Sequence, residues 1–477
     1  MGQLRAKAAK YEPYYEKFVF AFSLFFAFYT LIGRVTLWHE LVEHTIDAPI
    51  HAMAGLIGFF LFGIDFLFFQ RYRRMKAYPF YFLFIFLAGV SSLLNIRYGV
   101  TDNAKTICWL IFHMLVLTSF GFLISKKYYH LWLKLFFMIS GAMWWVATVV
   151  SLYQFLFVPA YRIAMNDRMI RQSFCENRLF GVYIDPNLGA FVAYLVILGM
   201  CYLIQSYPKD KLVRGLCIFN IVLQIIYIIL SGSRSTIVCM MVSLAYLIFT
   251  YVKRFNRIQY HWSRLKEGVV SGVLILLVCL LILVGFPLFQ KGAAAVGMAI
   301  SPELHTSTDE LDREDIENDT STKRIQIWSD YIMLWKTKPW FGLSPRNGWT
   351  YADVHAPDSY LSIHHYDVHN AYIAVFEGMG IIGFTAFLIM AFYLLEAILP
   401  KYLNEEKVTK ESFIALQFIL TIAVFIIFYP GIYFTHGIDT LLFWPAIGYM
   451  TKDAKKPAFL PDVLYLPNPN ESSEEDA

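Results

Sequence analysis

The sequence predicts an all-α integral membrane protein, and three observations carry that prediction. Of 477 residues, 58% are hydrophobic and only 16% charged, where soluble chains carry roughly 25% charged residues. Apolar runs near the roughly 20 residues that a membrane-spanning helix needs recur about twelve times. The segments between them alternate in charge, as a chain weaving through a bilayer requires.

The runs centre near Phe26, Phe60, Phe86, Leu115, Trp145, Leu195, Leu223, Met241, Val278, Phe387, Leu420 and Phe443. Arg5, Lys7, Lys10 and Lys17 precede or open the first. It is too long for the apolar core of a secretion signal and no small-residue cleavage site follows, so it reads as a retained helix. Basic loops follow at 71–76, 126–127, 209–214, 253–266 and 401–410, and again at 452–456. The positive-inside rule places this set, with both termini, in the cytoplasm.

Residues 1–477 read as one polytopic domain. The remaining loops face outward, and two are long: 159–187, and 289–369 between the ninth and tenth spans. In the larger, the acidic stretch from Asp309 to Asp319 reads as a solvated loop. Ile325, Ile327, Trp328, Tyr331, Ile332 and Trp335 fall at helical spacing, predicting an amphipathic surface helix that Pro339 ends. The tail at 457–477 is rich in Pro, Asn, Ser and Glu and reads as disordered and cytoplasmic.

Several functions are excluded early. A net charge of +4, spread over loops, does not suit nucleic acid. All six cysteines except Cys175 lie in or beside spans, so no external disulfide pair is available. No internal repeat supports an inverted-repeat transporter.

What stands out is arginine on the outer side: Arg178, Arg234 and Arg324. Positive charge is usually kept from external loops, so arginine there needs an anionic partner. Phosphate or diphosphate, gripped bidentately, is the obvious one. Arg178 leads into Asp185-Pro-Asn187, a helix start whose Asp185 or Asn187 can cap the first amides and whose end favours anions. An Arg178–Asp185 ion pair tying down the loop is the plain alternative. Arg234, in the turn Ser231-Gly-Ser-Arg-Ser235, sits at lipid-phosphate depth and equally suits a headgroup anchor. Arg324 opens the amphipathic helix and is either a ligand or a solvated surface residue. His369, followed by Asn370 and by Glu377 two turns on, can accept or orient a proton at a membrane entrance; a capping or interfacial histidine is its plain reading.

Other patterns carry less. Gly378-Met-Gly380-Ile-Ile-Gly383 matches a dinucleotide motif, but it lies inside a span, where close helix packing explains it better. His39 and His44 are five apart and do not share a helix face, unlike a zinc-protease pair. His365 and His369 have better spacing but no third ligand, so neither metal nor cofactor is expected.

The arginine-to-Asp-Pro-Asn segment, the Ser-x-Ser-Arg turn, the large loop with Arg324 and Pro339-Trp-Phe-Gly342, and the His369-Asn370 before Glu377-Gly-x-Gly resemble the O-antigen ligase and polymerase family of bacterial membrane glycosyltransferases. The resemblance is strongest from Arg178 to Gly383. It implies a GT-C-like helical fold in the bacterial plasma membrane. It also implies a donor glycan on undecaprenyl diphosphate, a glycan or lipid acceptor, and possible association with other polysaccharide-assembly proteins. On this chain, Arg178, Arg234 and Arg324 would hold the diphosphate and His369 would position or activate the acceptor, with Asp185, Asn187, Asn370 and Glu377 supporting. Such arginines neutralise a leaving diphosphate without a metal, and attack on the opposite face inverts the anomeric centre. Ser235 stands where many relatives have glycine, and Arg162, Arg168 and Arg171 are further external arginines able to share Arg178's role.

The resulting expectation is a polymerase of capsule, exopolysaccharide or O-antigen repeat units. A ligase to a lipid or protein acceptor is the alternative, and a flippase of lipid-linked glycan the alternative of another class. Arg34 and Asp65 are among the few ionisable residues expected inside spans, too few for a transport path.

Overall fold

The computed structural model describes residues 2–42, 44–165, 168–175, 178–302, 323–403 and 409–466. Its long helices are α1 (Glu12–Ile32), α2 (Asp47–Phe69), α3 (Tyr78–Leu94), α4 (Thr101–Leu123), α5 (Lys126–Phe157), α6 (Pro186–Ser206), α7 (Lys211–Ser231), α8 (Arg234–Tyr260) and α9 (Arg264–Gly297). There follow α10 (Arg324–Trp335), α11 (Ala371–Leu403), α12 (Lys410–Phe425) and α13 (Ile438–Met450). Each expected span centre falls inside one of these helices. Among the described residues nine are long and apolar enough to cross a membrane. The other expected spans, α3, α12 and α13, have 17, 16 and 13 residues. All of α13 is buried, so its ends meet protein and their backbone groups can be satisfied there without a full membrane length.

Helix starts follow the local sequence. Asp185, Ser125, Asp210, Ser233 and Thr409 each accept a backbone N–H of the first turn of α6, α5, α7, α8 and α12, which offsets donors that have no intrahelical partner.

Contacts between loops sort them into two ends. At one, basic loops meet one another: Arg71 pairs with Glu16 at 3.1 Å, His130 with Glu411 at 3.0 Å, and Lys452 Nζ donates to Ile124 O at 2.7 Å. At the other, Val35 bridges to Tyr183, Arg178 reaches Ser231, and Ala371 N donates to Ile426 O at 2.8 Å. These contacts follow the same alternation as the loop charges.

Three expectations need correction. The loop at 159–187 carries a three-stranded antiparallel sheet of β1 (Tyr161–Met165), β2 (Arg168–Cys175) and β3 (Arg178–Gly181). Arg162 stands opposite Arg171, and Cys175 opposite Arg178. Arg34 is not inside a span: α1 ends at Ile32 and Arg34 lies beyond it, where its carbonyl accepts Ile184 N at 3.2 Å. The tail is held as far as it is described. Arg73 donates to Val463 O at 2.6 Å and to Leu464 O at 2.9 Å, and Tyr465 packs edge-on against Tyr78. Residues 467–477 and the acidic stretch at 309–319 lie outside the described residues.

Candidate functional site

The end opposite the basic loops gathers the residues singled out above into two groups. The first is built on β3. From there Arg178 donates Nε to Ser231 O and Nη2 to Asn187 Oδ1, both at 2.7 Å. A Cβ at Gly232 would lie 3.4 Å from the Arg178 side chain, so the guanidinium stem lies along the turn between α7 and α8. Asp185 is a helix cap: its Oδ1 accepts Asn187 N at 2.7 Å. Arg178, Asn187 and the serine turn thus form one cluster at the N-terminus of α6. Arg234 is the first residue of α8, and its side chain is exposed.

The second group surrounds a break in α11. At Gly380 the backbone takes φ 65°, ψ −169° and the helix opens. The freed groups are bonded by the segment at 339–344. Leu343 N and Ser344 N donate to the carbonyls of Glu377 and Gly378 at 2.8 and 3.0 Å, while Ile381 N and Ile382 N donate to Pro339 O and Trp340 O at 2.9 and 3.2 Å. Gly342, with φ +72°, would place a Cβ 2.4 Å from Glu377 O, and Gly380 would place one 2.4 Å from Trp340 O. Only glycine fits either position. The glycine pattern at 378–383 therefore marks an opened helix clamped by Pro-Trp-Phe-Gly, rather than helix-on-helix packing. Open backbone at membrane depth is tolerated where protein satisfies it.

On this frame sit Arg324, His369, Asn370 and Glu377. Asn370 caps α11, its Oδ1 accepting Tyr372 N and Ile373 N at 2.9 and 3.0 Å. His369, just before it, is half-buried with φ +48°, a left-handed conformation uncommon outside glycine and concentrated at functional positions. Its ring lies 6.2 Å from that of Tyr366. Glu377 is buried in α11. The amphipathic helix is α10, and its inner face grips the histidine segment: Trp328 Nε1 donates to Val368 O at 2.8 Å and Tyr331 Oη to Tyr366 O at 3.0 Å. Its outer face keeps Ile325, Ile332 and Met333 exposed, as a helix lying on a membrane would. His365, by contrast, meets Asp353 at 3.1 Å.

The loop 426–437 joins the two groups. Arg324 lies over the Phe428 ring at 5.8 Å, and Phe425, the last residue of α12 before the loop, stacks on Phe191 of α6 with centroids 3.5 Å apart. Burial pushes the Tyr429 phenol up to about 12; Arg34 opposes that shift, and Asp439, Asp185 and Asp367 add to it. Carboxylates from both groups therefore act on one phenol.

Sequence reading missed this loop and Arg346, and set Arg34 inside a span because it lies close to an apolar run. The sheet had a signal: Asn166-Asp167, typical turn residues, lie between the short runs Tyr161–Met165 and Arg168–Cys175.

Residues 219–388 match the family model described as O-antigen ligase. The match takes in the serine turn, Arg234, Arg324, His369 and Glu377. No curated protein matches the chain. The family found by comparison over residues 219–388 is the one that the arginine, serine-turn and histidine motifs resemble.

Proposed function

We propose that this protein polymerises undecaprenyl-diphosphate-linked oligosaccharide repeat units on the outer face of the bacterial plasma membrane. The observation that carries the reading is that Arg178, Asn187 and the Ser231–Arg234 turn form one cluster at the same end, away from the basic loops, as Arg324 and the His369 segment, which both meet loop 426–437. Under this reading the chain crosses the membrane twelve times, α3, α12 and α13 included, in a GT-C-like arrangement. Both termini face the cytoplasm, and the loop at 289–369 lies outside.

The chemistry follows from the side chains. Arg178, Arg234 and Arg324 bind the donor diphosphate, and their preorganised charge stabilises it as it leaves the anomeric carbon. His369 takes the proton of the attacking acceptor hydroxyl. The hydroxyl oxygen forms the new glycosidic bond as the carbon–oxygen bond to diphosphate breaks, and attack from the far side inverts the centre. The residues supply this charge without calling on a metal.

Transfer of finished glycan to a lipid or protein acceptor is the second reading, favoured by the ligase description of the matching family. Glycan analysis of cells lacking the protein, complemented with wild type or His369→Ala, separates them. Single lipid-linked repeat units accumulating without long chains establish a polymerase, and failure of His369→Ala to restore long chains places that residue in the chemistry. Long chains left on the lipid carrier establish a ligase. Units trapped on the cytoplasmic leaflet establish a flippase and remove the enzyme reading.

A further inference from the structure

Arg97 and Lys338 share one tyrosine at the outer end. The Arg97 guanidinium lies 4.7 Å and the Lys338 ammonium 5.0 Å from the centroid of the Tyr98 ring. Lys338 also lies 5.0 Å from the Tyr351 ring and donates to Asn95 Oδ1. Burial and the neighbouring Arg97 both push the Lys338 pKa down, and no carboxylate opposes them. Asp102, Asp353 and Asp367 of this end are committed to Lys105, His365 and Arg346. Asn95 takes one of the three ammonium protons, and the ring faces attract the charge without neutralising it. Two like charges held together in this way favour an anion between them.

The surroundings select the anion. Leu83, Phe86, Leu93 and Leu94 form one exposed apolar stripe of α3. It leads to Arg97, three residues past the helix end, with exposed Ile96 and Val100 around it and exposed Trp340 two residues from Lys338. Apolar side chains facing outward on a spanning helix meet acyl chains, and indole just beyond the apolar region sits at headgroup depth. A zwitterionic lipid would bring its own ammonium to a site that already holds two cations. We propose that Arg97 and Lys338 bind the phosphate of an anionic phospholipid of the outer leaflet, its acyl chains lying along the exposed stripe of α3. This rests on α3 crossing the membrane. The site reaches the clamp on the opened helix: Asn95 Nδ2 donates to Gly342 O at 3.1 Å, and Lys338 precedes Pro339, whose carbonyl accepts Ile381 N. A bound phosphate braces both ends of that segment.

The test uses the full chain in nanodiscs of phosphatidylcholine mixed with phosphatidylglycerol, with Leu93 replaced by photoreactive benzoylphenylalanine and the crosslinked lipid identified by mass spectrometry. With the cations intact, phosphatidylglycerol is expected at least tenfold above its share of the bilayer. Arg97→Gln and Lys338→Gln should each lower that enrichment about fivefold, the scale of one basic residue at an anionic surface, while Lys105→Gln leaves it unchanged. Should Lys338→Gln fail to fold, Arg97→Gln, at an exposed position, decides alone. No enrichment, or an equal loss from Lys105→Gln, overturns the site. Displacement of phosphatidylglycerol by millimolar inorganic phosphate overturns the lipid and assigns the pair to a soluble phosphate. Crosslinks to neither lipid overturn the membrane crossing of α3 and the site with it.

Discussion

The two ends of the helix bundle use charge differently. At the basic end the charges are closed on each other. Arg71 is 1% exposed and pairs with Glu12 and Glu16, Arg74 pairs with Glu12 at 2.8 Å, and Glu411 serves both His130 and Lys126. Even Lys452 spends its ammonium on a carbonyl, and burial pushes its pKa down to about 8. At the opposite end Arg178 donates to two neutral oxygens, Arg234 is exposed, and Glu377 keeps one oxygen unbonded among the described residues. Neutral oxygens fix the direction of the Arg178 guanidinium, whereas the carboxylates around Arg71 both fix and neutralise it. One end holds the bundle together, and the other carries the residues proposed above to bind the donor.

The sharpest way to break that contrast is to remove charge at each end. Arg178→Ala is expected to lower long-chain glycan at least 100-fold, the scale of losing one preorganised donor to a developing charge, at normal membrane levels. Arg178→Lys should recover under a tenth of the loss, since an ammonium cannot make the bidentate contact. Immunoblots of membranes beside glycan gels measure both. Arg71→Ala should do the reverse. Breaking a fully buried pair costs about 3–5 kcal/mol. Glu16 is 42% exposed and Glu12 22%, so the orphaned carboxylates reach water and roughly 2 kcal/mol is expected. The thermal midpoint and protein level fall while glycan per folded molecule stays within about threefold. Equal loss per molecule from both variants would end the distinction between the ends.

Between these extremes lies the clamp on the opened helix. Gly342→Ala places a methyl 2.4 Å from a backbone carbonyl at φ +72°. Strain at such a conformation costs about 1–3 kcal/mol, and overpacking adds a similar amount. The backbone of 339–344 is then pushed off Glu377 and Gly378, and both stability and glycan synthesis are expected to fall. A variant that keeps full activity with only a lowered midpoint would show that the clamp supports the fold and not the site.

How much of this was legible in the sequence follows from what each feature depends on. The span centres were, because burial in lipid needs only length and apolarity, both local properties. So was the order of Arg178, Arg234, Arg324 and His369, because charge on the outer side stands out against a biased background. The break at Gly380 was not. Glycines at 378, 380 and 383 read identically whether a helix packs closely or opens, and the deciding partner, 339–344, is more than thirty residues earlier. Arg34 was misplaced for the same reason: what fixes it is a pairing with 182–184 across the whole of four intervening spans. The unbonded oxygen of Glu377 depends on segments around 331, 346 and 435 meeting, which no local pattern encodes.

The smallest expected effect sharpens the comparison most narrowly. Lys105 and Asp102 form an i,i+3 pair at 3.3 Å on the same end as Arg178, with side chains 56% and 66% exposed. If positive charge anywhere on that face drew the lipid diphosphate, Lys105→Ala would reduce glycan measurably, since the field extends roughly a Debye length, about 8 Å at physiological salt. If position is what matters, Lys105→Ala leaves glycan output unchanged and moves stability by no more than about 0.5 kcal/mol, as exposed helical pairs do. The same cells assayed at low and high salt separate the two: steering by the whole face weakens as salt rises, while a guanidinium held at 2.7 Å from Ser231 and Asn187 acts at contact and is screened far less.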